Sequence, residues 1–278
     1  MKEFKREHKK DFNRNSKREN PQKEKDFSPS NDSSFIVGRN AVREALKSDR
    51  PLDKLFVQNL QNKGSLGELV SLAKEKGIPV KEMSAEKLSK MSEGENHQGI
   101  ILSCSAKEYK TLEEVFASLD GKEPFFVMAD EIEYPQNLGA IIRTAEAAGA
   151  DAVIIPKRRG VSLTAAVART SAGAIEHMDV VRVTNLVDTI KELKKMGVWV
   201  YCADMDGENW CEANLKGALC LVIGSEGKGV GRLIKENCDG VLSLPMCGRI
   251  NSLNASVAAG ILLYEATRQR LSIKAINN

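Results

Sequence analysis

Between residues 124 and 271 short apolar runs alternate with segments of helical spacing, and this alternation limits the fold more than any other feature of the chain. PFFVMAD (124–130), DAVIIP, VVRVT, VWVYCAD, ALCLVIG and VLSLPM have the length and apolar density of strands, the first apolar enough to be buried on both faces. Between them AIIRTAEAAGA, LTAAVARTSAGA, NLVDTIKELKKMG and GRLIKENC read as helices, and SVAAGILLYEATRQRL closes the series as another. Strands joined by helices build an open, mostly parallel sheet with helices on both faces, an α/β doubly wound fold. Ligands on such sheets sit beyond the carboxyl ends of the strands.

A shorter α/β series precedes it. VGRNAVREALKS predicts a helix, DKLFVQ a strand, SLGELVSLAKEKG a helix closed by Gly77, IPVKEM a strand, AEKLSKMSEG a helix and HQGIILSCS a strand. We therefore expect a small layered α/β domain over 35–107, a partly helical connector over 108–122 (EYKTLEEVFASLDGK) and the larger sheet over 123–278. Residues 1–34 hold almost no aliphatic side chain and are expected to form a disordered basic tail. That tail carries ten Lys/Arg against seven Asp/Glu, which accounts for the whole net charge of +3. A polyanion would then be recognised through local basic patches plus the tail, not through a global field.

Composition removes several classes. No apolar run approaches the roughly 18 residues of a membrane helix, and no apolar segment follows the Lys-rich N-terminus, so a cytosolic protein without a membrane partner is expected. The six cysteines form no C-x-x-C pair and only three histidines are present, which argues against a metal site or a secreted disulfide framework. Aromatic residues make up 5% of the chain, too few for a broad base-stacking platform, so any RNA would be recognised by its shape.

Three loops follow apolar strands. In DEIEYPQNLGAIIRTAEAAG (130–149), Pro135 and Gly139 break the chain and Asn137 is placed to cap the helix that carries Arg143. These two residues lie six apart and need tertiary closure to act together. LVIGSEGKGV (221–230) opens a strand into Gly224, Gly227 and Gly229 around Glu226, letting a ligand approach the backbone. It is no P-loop, since Lys228 is followed by Gly229, and a dinucleotide site lacks its glycine fingerprint at the first strand–helix turn. In LPMCGRINSLNAS (244–256), Asn251, Ser252, Asn254 and Ser256 stand at the start of a helix that needs only one capping side chain. The excess points to a binding surface.

Taken in order, NLGAIIRTAEAAG, VIGSEGKGV and LPMCGRINSLNASVAAGILLYEA resemble the three motifs of the SpoU (TrmH) family of RNA ribose 2'-O-methyltransferases, of the SPOUT class. GRNAVREAL and NHQGI resemble the small L30e-like RNA-binding domain that precedes the catalytic domain in its rRNA-modifying branch. The resemblance implies a trefoil knot in the larger domain, S-adenosylmethionine as cofactor, and a homodimer that completes the site. It implies that Asn137, Arg143, Glu226, Ser252 and Asn254 surround the reacting groups. Ile223, Gly224, Gly227, Leu244, Met246, Ser252 and Leu253 would hold the cofactor. Arg-Ile-Asn at 249–251 departs from the family pattern and leaves Asn251 without an implied role.

The implied reaction moves a methyl group to a ribose 2'-hydroxyl of ribosomal RNA, most specifically a guanosine of the 23S rRNA, with tRNA or a catalytically silent assembly factor as alternatives. A guanidinium stays charged, with a pKa above about 12, so Arg143 is expected to bind a phosphate and stabilise the developing alkoxide instead of removing a proton. Glu226 either acts near substrate or pairs with Arg143 or Asn137. Lys157, Arg158 and Arg159, directly after a strand, are candidates for RNA phosphate contact.

Overall fold

The computed structural model describes residues 33–60 and 64–273, all within one compact unit. The expected tail over 1–34 lies outside them except for its last two residues. Ser33 and Ser34 belong instead to a first strand, β1 (Ser33–Val37), pairing with Ser105 and Cys104. The apolar residues of this strand, Phe35, Ile36 and Val37, run straight into the helical pattern that follows, and strand pairing through the backbone carries the ladder back over the two serines.

After β1 come α1 (Arg39–Lys47), β2 (Leu52–Val57), α2 (Ser65–Glu75), β3 (Val80–Glu82), α3 (Ala85–Met91) and β4 (Ile100–Ser105). The first helix begins two residues later than its apolar pattern, because Gly38 has φ +95°. Its sheet has the order β1-β4-β2-β3, with β4 antiparallel to β1 and β2, and β3 parallel to β2. Ala41, Val42, Ala45 and Leu46 of α1 pack with Leu66, Leu69, Val70 and Ala73 of α2 on one face, while Leu88 of α3 meets Phe56 and Ile101 on the other.

The second sheet follows α4 (Leu112–Ser118), which starts at a capping box in which Thr111 and Glu114 satisfy each other's backbone N–H groups. Its elements are β5 (Phe125–Ala129), α5 (Pro135–Ala147), β6 (Ala152–Pro156), α6 (Ala165–Thr170), a 3-10 turn (Ala174–Glu176), β7 (Asp179–Val183), α7 (Leu186–Lys195), β8 (Trp199–Asn209), β9 (Leu219–Ile223), α8 (Arg232–Asn237), β10 (Gly240–Ser243) and α9 (Ala255–Arg270). All neighbouring strands in the order β10-β8-β9-β5-β6-β7 are parallel. Alternate residues of β5 face opposite cores: Phe125, Val127 and Ala129 pack with α5, α6 and α9, and Phe126 and Met128 with α4, α7 and α8. The doubly wound α/β sheet read from the alternation is the one observed.

Two elements differ from expectation. LTAAVARTSAGA does not form one helix: Ala172 and Gly173 adopt positive φ (53° and 95°), which ends α6 and sets the 3-10 turn at an angle to it. The strand VWVYCAD runs on to Asn209, but its pairing with β10 jumps from Cys202–Val241 to Glu208–Leu242, so residues 203–207 bulge out of the ladder. Leu221→Ala, at the centre of the fully buried β9, is expected to lower the unfolding free energy by about 2–5 kcal/mol, read by chemical denaturation.

Candidate functional site

The last residue of β9, Ile223, opens into a loop that folds back on itself. Gly229 donates its N–H to the Ser225 carbonyl (2.9 Å) with φ +64°, and a Cβ on Gly224 would collide with the Gly229 carbonyl. Glycine at 224 is therefore a condition of the turn. Gly231 ties the exit of the loop to the end of β5 by donating its N–H to Asp130 Oδ2 at 2.7 Å. Asp130 is buried, and burial raises its pKa although the Gly231 hydrogen bond opposes this.

This loop, the bulge of β8 and the segment between β10 and α9 enclose a cleft of about 510 Å³. Ile223, Gly224, Gly227, Leu244, Met246, Ser252 and Leu253 all line it. The cleft is also bordered by Asp204, Ser225 and Lys228, which sequence reasoning did not single out, and by Asn251, one of the polar residues whose excess before α9 pointed to a binding surface. Asp204 sits in the β8 bulge and pairs with Lys235 of α8 at 3.1 Å, which raises the lysine's pKa. Asp204 is the last residue of VWVYCAD, inside the expected strand, and the bulge over residues 203–207 sets it at the cleft.

Three loops meet beside it. Asn137 Nδ2 donates to Glu226 Oε1, and Asn254 Nδ2 donates both to the same oxygen (3.2 Å) and to Asn137 Oδ1 (3.1 Å). Asn137 was expected to cap its helix, but Pro135 already occupies the first helical position, which moves the start upstream and makes Asn137 the third residue of its first turn. Its side chain is thereby free for Glu226. Of the two pairings open to Glu226, the structure shows the one with Asn137.

The polar row before α9 divides into two pairs. Asn254 is the N-cap, and its Oδ1 accepts from the Ser256 N–H (3.0 Å) and hydroxyl (2.6 Å). Asn251 and Ser252 are exposed and line the cleft. Arg143 is not gathered with the others. Six residues along α5 from Asn137 it stands roughly 9 Å further and about 120° around the axis. There it is exposed, with no hydrogen-bond or ion-pair partner among the described residues. Ala140 and Ala147 lie on the same stripe of the helix.

Lys157, Arg158 and Arg159 are exposed at the end of β6. Arg159 lies 3.5 Å from Glu131, which itself approaches Lys228 of the glycine loop at 4.0 Å. The basic cluster thus adjoins the cleft. No helix among the described residues is long and apolar enough to cross a membrane.

Residues 124–264 match the SpoU rRNA Methylase family, and residues 35–110 match the family described as RNA 2'-O ribose methyltransferase substrate binding. A protein of Bacillus subtilis (strain 168), YacO, assigned to the TrmH family of tRNA/rRNA methyltransferases, is 48% identical over 239 residues, 85% of this chain and 96% of that one. Among solved structures, the SpoU methyltransferase AviRb of Streptomyces viridochromogenes with the cofactor AdoMet superposes with a TM-score of 0.74 at 24% identity, over 87% of this chain and 92% of that one. An RNA 2'-O ribose methyltransferase superposes with a TM-score of 0.72 at 27% identity, over 86% and 89% of the two chains.

Asn254→Ala removes both the cap and the bridge between loops. It is expected to cost about 1–2 kcal/mol in denaturant unfolding and to speed amide exchange in the first turn of α9; unchanged exchange there would show that Asn254 does not hold the helix start.

Proposed function

We propose, from the premise that the chain belongs to the SpoU rRNA methylase family, that it methylates the ribose 2'-hydroxyl of a guanosine in large-subunit ribosomal RNA. The methyl donor is S-adenosylmethionine, which when bound supplies a methyl group already activated on a sulfonium. The observation that carries this reading is the cleft bordered by glycine backbone and apolar walls and abutted by the Asn137–Glu226–Asn254 hydrogen bonds. Its lining suits such a molecule: Ile223, Leu242, Leu244, Met246 and Leu253 offer apolar surface to an adenine, while Gly224, Gly227 and Gly229 leave backbone groups uncovered. Ser252 and Asn251 present polar groups at the mouth. The match of residues 35–110 to an RNA substrate-binding family and of residues 124–264 to a family described as an rRNA methylase supports rRNA as the substrate.

Positioning dominates such a transfer, since an in-line arrangement of donor and hydroxyl contributes several kcal/mol. Asn254 fixes the start of α9 and so the Ser252–Leu253 wall, while Glu226 holds Asn137 in place. Arg143 binds the phosphate next to the target ribose and stabilises the alkoxide as the proton leaves. On its own chain Arg143 faces away from Asn137, so it serves the cleft of a second copy. The small Ala140 and Ala147 beside it, and the exposed Val257 and Tyr264 on α9, fit a face closed by that copy in a homodimer. The trefoil knot lies in the return of the chain through 224–231 and 244–254, and the protein works in the cytosol.

Incubation with total bacterial RNA lacking the modification and labelled S-adenosylmethionine, followed by nucleoside mass spectrometry, is expected to yield 2'-O-methylguanosine in large-subunit RNA. Label in tRNA would overturn the substrate, and label on a base the ribose chemistry. Arg143→Lys is expected to lower kcat by about 100-fold or more. Mixed with Glu226→Ala, it regains about a quarter of wild-type activity in statistically formed heterodimers, one site of which is intact; no recovery would place Arg143 in its own chain's site.

A further inference from the structure

The four-stranded half of the molecule is held to the six-stranded half by three polar side-chain contacts. Arg50, between α1 and β2, reaches Glu176 in the 3-10 turn at 2.8 Å, and the two side chains are 11% and 1% exposed. His177 meets Glu44 of α1 at 3.1 Å, and Arg169 of α6 pairs with Glu95 before β4. Gly173 makes the approach possible: a Cβ there would lie 2.7 Å from Cβ and Cγ of Glu44 and 3.4 Å from Cα of Ala41. These contacts, two of them through the adjacent Glu176 and His177, hold one half against the other.

The connector does not act as a hinge. Lys107 Nζ donates to the Glu176 carbonyl (3.3 Å), Lys110 N–H donates to the Val180 carbonyl (3.0 Å) and extends the β7 edge, and the Tyr109 hydroxyl accepts from Leu163 N–H (3.0 Å). Arg50 also donates through Nε to the Ser105 carbonyl (3.0 Å), at the end of β4, so one side chain joins the first sheet, the start of the connector and the second half. A buried ion pair is weak evidence for stability, because apolar residues of similar size do as well, but removing either member leaves an uncompensated charge. The second carboxylate oxygen of Glu176 has no hydrogen-bond partner among the described residues, and Arg50 is the side chain ion-paired with this carboxylate, with the Lys107 ammonium close by.

We propose that Arg50 and Glu176 are positioning residues that hold the RNA-gripping half at one angle to the cofactor cleft, and so select which ribose is methylated. This rests on the function proposed above. The cleft follows β9, whereas the clamp lies by β7, three strand spacings or roughly 14 Å across the sheet. Over that lever a tilt of about 10° moves a bound ribose by roughly 2.5 Å, and a misplacement of about 1 Å already costs about 100-fold in rate.

The test uses the full chain with Arg50→Met and with the double variant Arg50→Met, Glu176→Met, which removes both charges and keeps an apolar contact able to fold. For the double variant, binding of S-adenosylmethionine and of an rRNA fragment is expected to stay within threefold of wild type. Its kcat should fall at least tenfold, methylation mapped by mass spectrometry should spread from one nucleotide to its neighbours, and small-angle X-ray scattering should show a broader envelope. Methylation confined to the wild-type nucleotide at wild-type kcat would overturn the proposal, as would a loss of cofactor binding that parallels the loss of rate. If the wild-type chain methylates no RNA, the function itself fails, and scattering unchanged by the double variant would then overturn the clamp separately.

Discussion

One carboxylate oxygen, Oε1 of Glu226, accepts amide hydrogens from Asn137 and Asn254, side chains of two segments 117 residues apart in the chain. The cleft depends on this arrangement. Its walls are loops with little regular structure, and loops left to themselves would pay conformational entropy to hold a ligand. Tying the glycine loop to the first turn of α5 and to the cap of α9 transfers the rigidity of two helices to that backbone. The glycines allow it at close quarters: at 224 any side chain would occupy the space of the returning Gly229 carbonyl.

The sheet gives this constraint its reach. β5 and β9 are buried along their whole length, with packed helices on both faces, so the span from β7 to β8 behaves as one stiff plate. The cleft stands at the bulge of β8 and beyond the carboxyl end of β9, the basic loop 157–159 beyond β6, and the four-stranded half is clamped near β7. Glu131 links the basic loop to the glycine loop through Arg159 and Lys228. On the function proposed above, these cations give an RNA phosphate backbone places to bind beside the cleft.

Much of this was legible in residue order. Periodicity showed the parallel sheet and its helices, because burial on two faces demands near-continuous apolar runs and burial on one demands helical spacing. Glycines and small polar residues after strands marked the cleft, and the residues singled out from motif resemblance, Ile223, Gly224, Gly227, Leu244, Met246, Ser252 and Leu253, line it together. Other features left no local trace. β1 escaped notice because its apolar Phe35, Ile36 and Val37 merge with the helical pattern that follows, and the split of LTAAVARTSAGA, marked only by Gly173, depends also on a left-handed Ala172.

The chain order by itself determined what is local: which segments are strands, which are helices, and which turns require glycine, since these follow from side-chain volume, branching and hydrogen-bonding groups near one another in sequence. Only the tertiary structure decided the partners. Glu226 could have met Arg143 or Asn137, and helix phase chose Asn137 by turning Arg143 about 120° away. Arg50 and Glu176, 126 residues apart, are two ordinary surface charges until folding buries them against each other. Pairing between distant residues is set by how rigid elements pack, and that geometry is a property of the whole fold and of no segment within it.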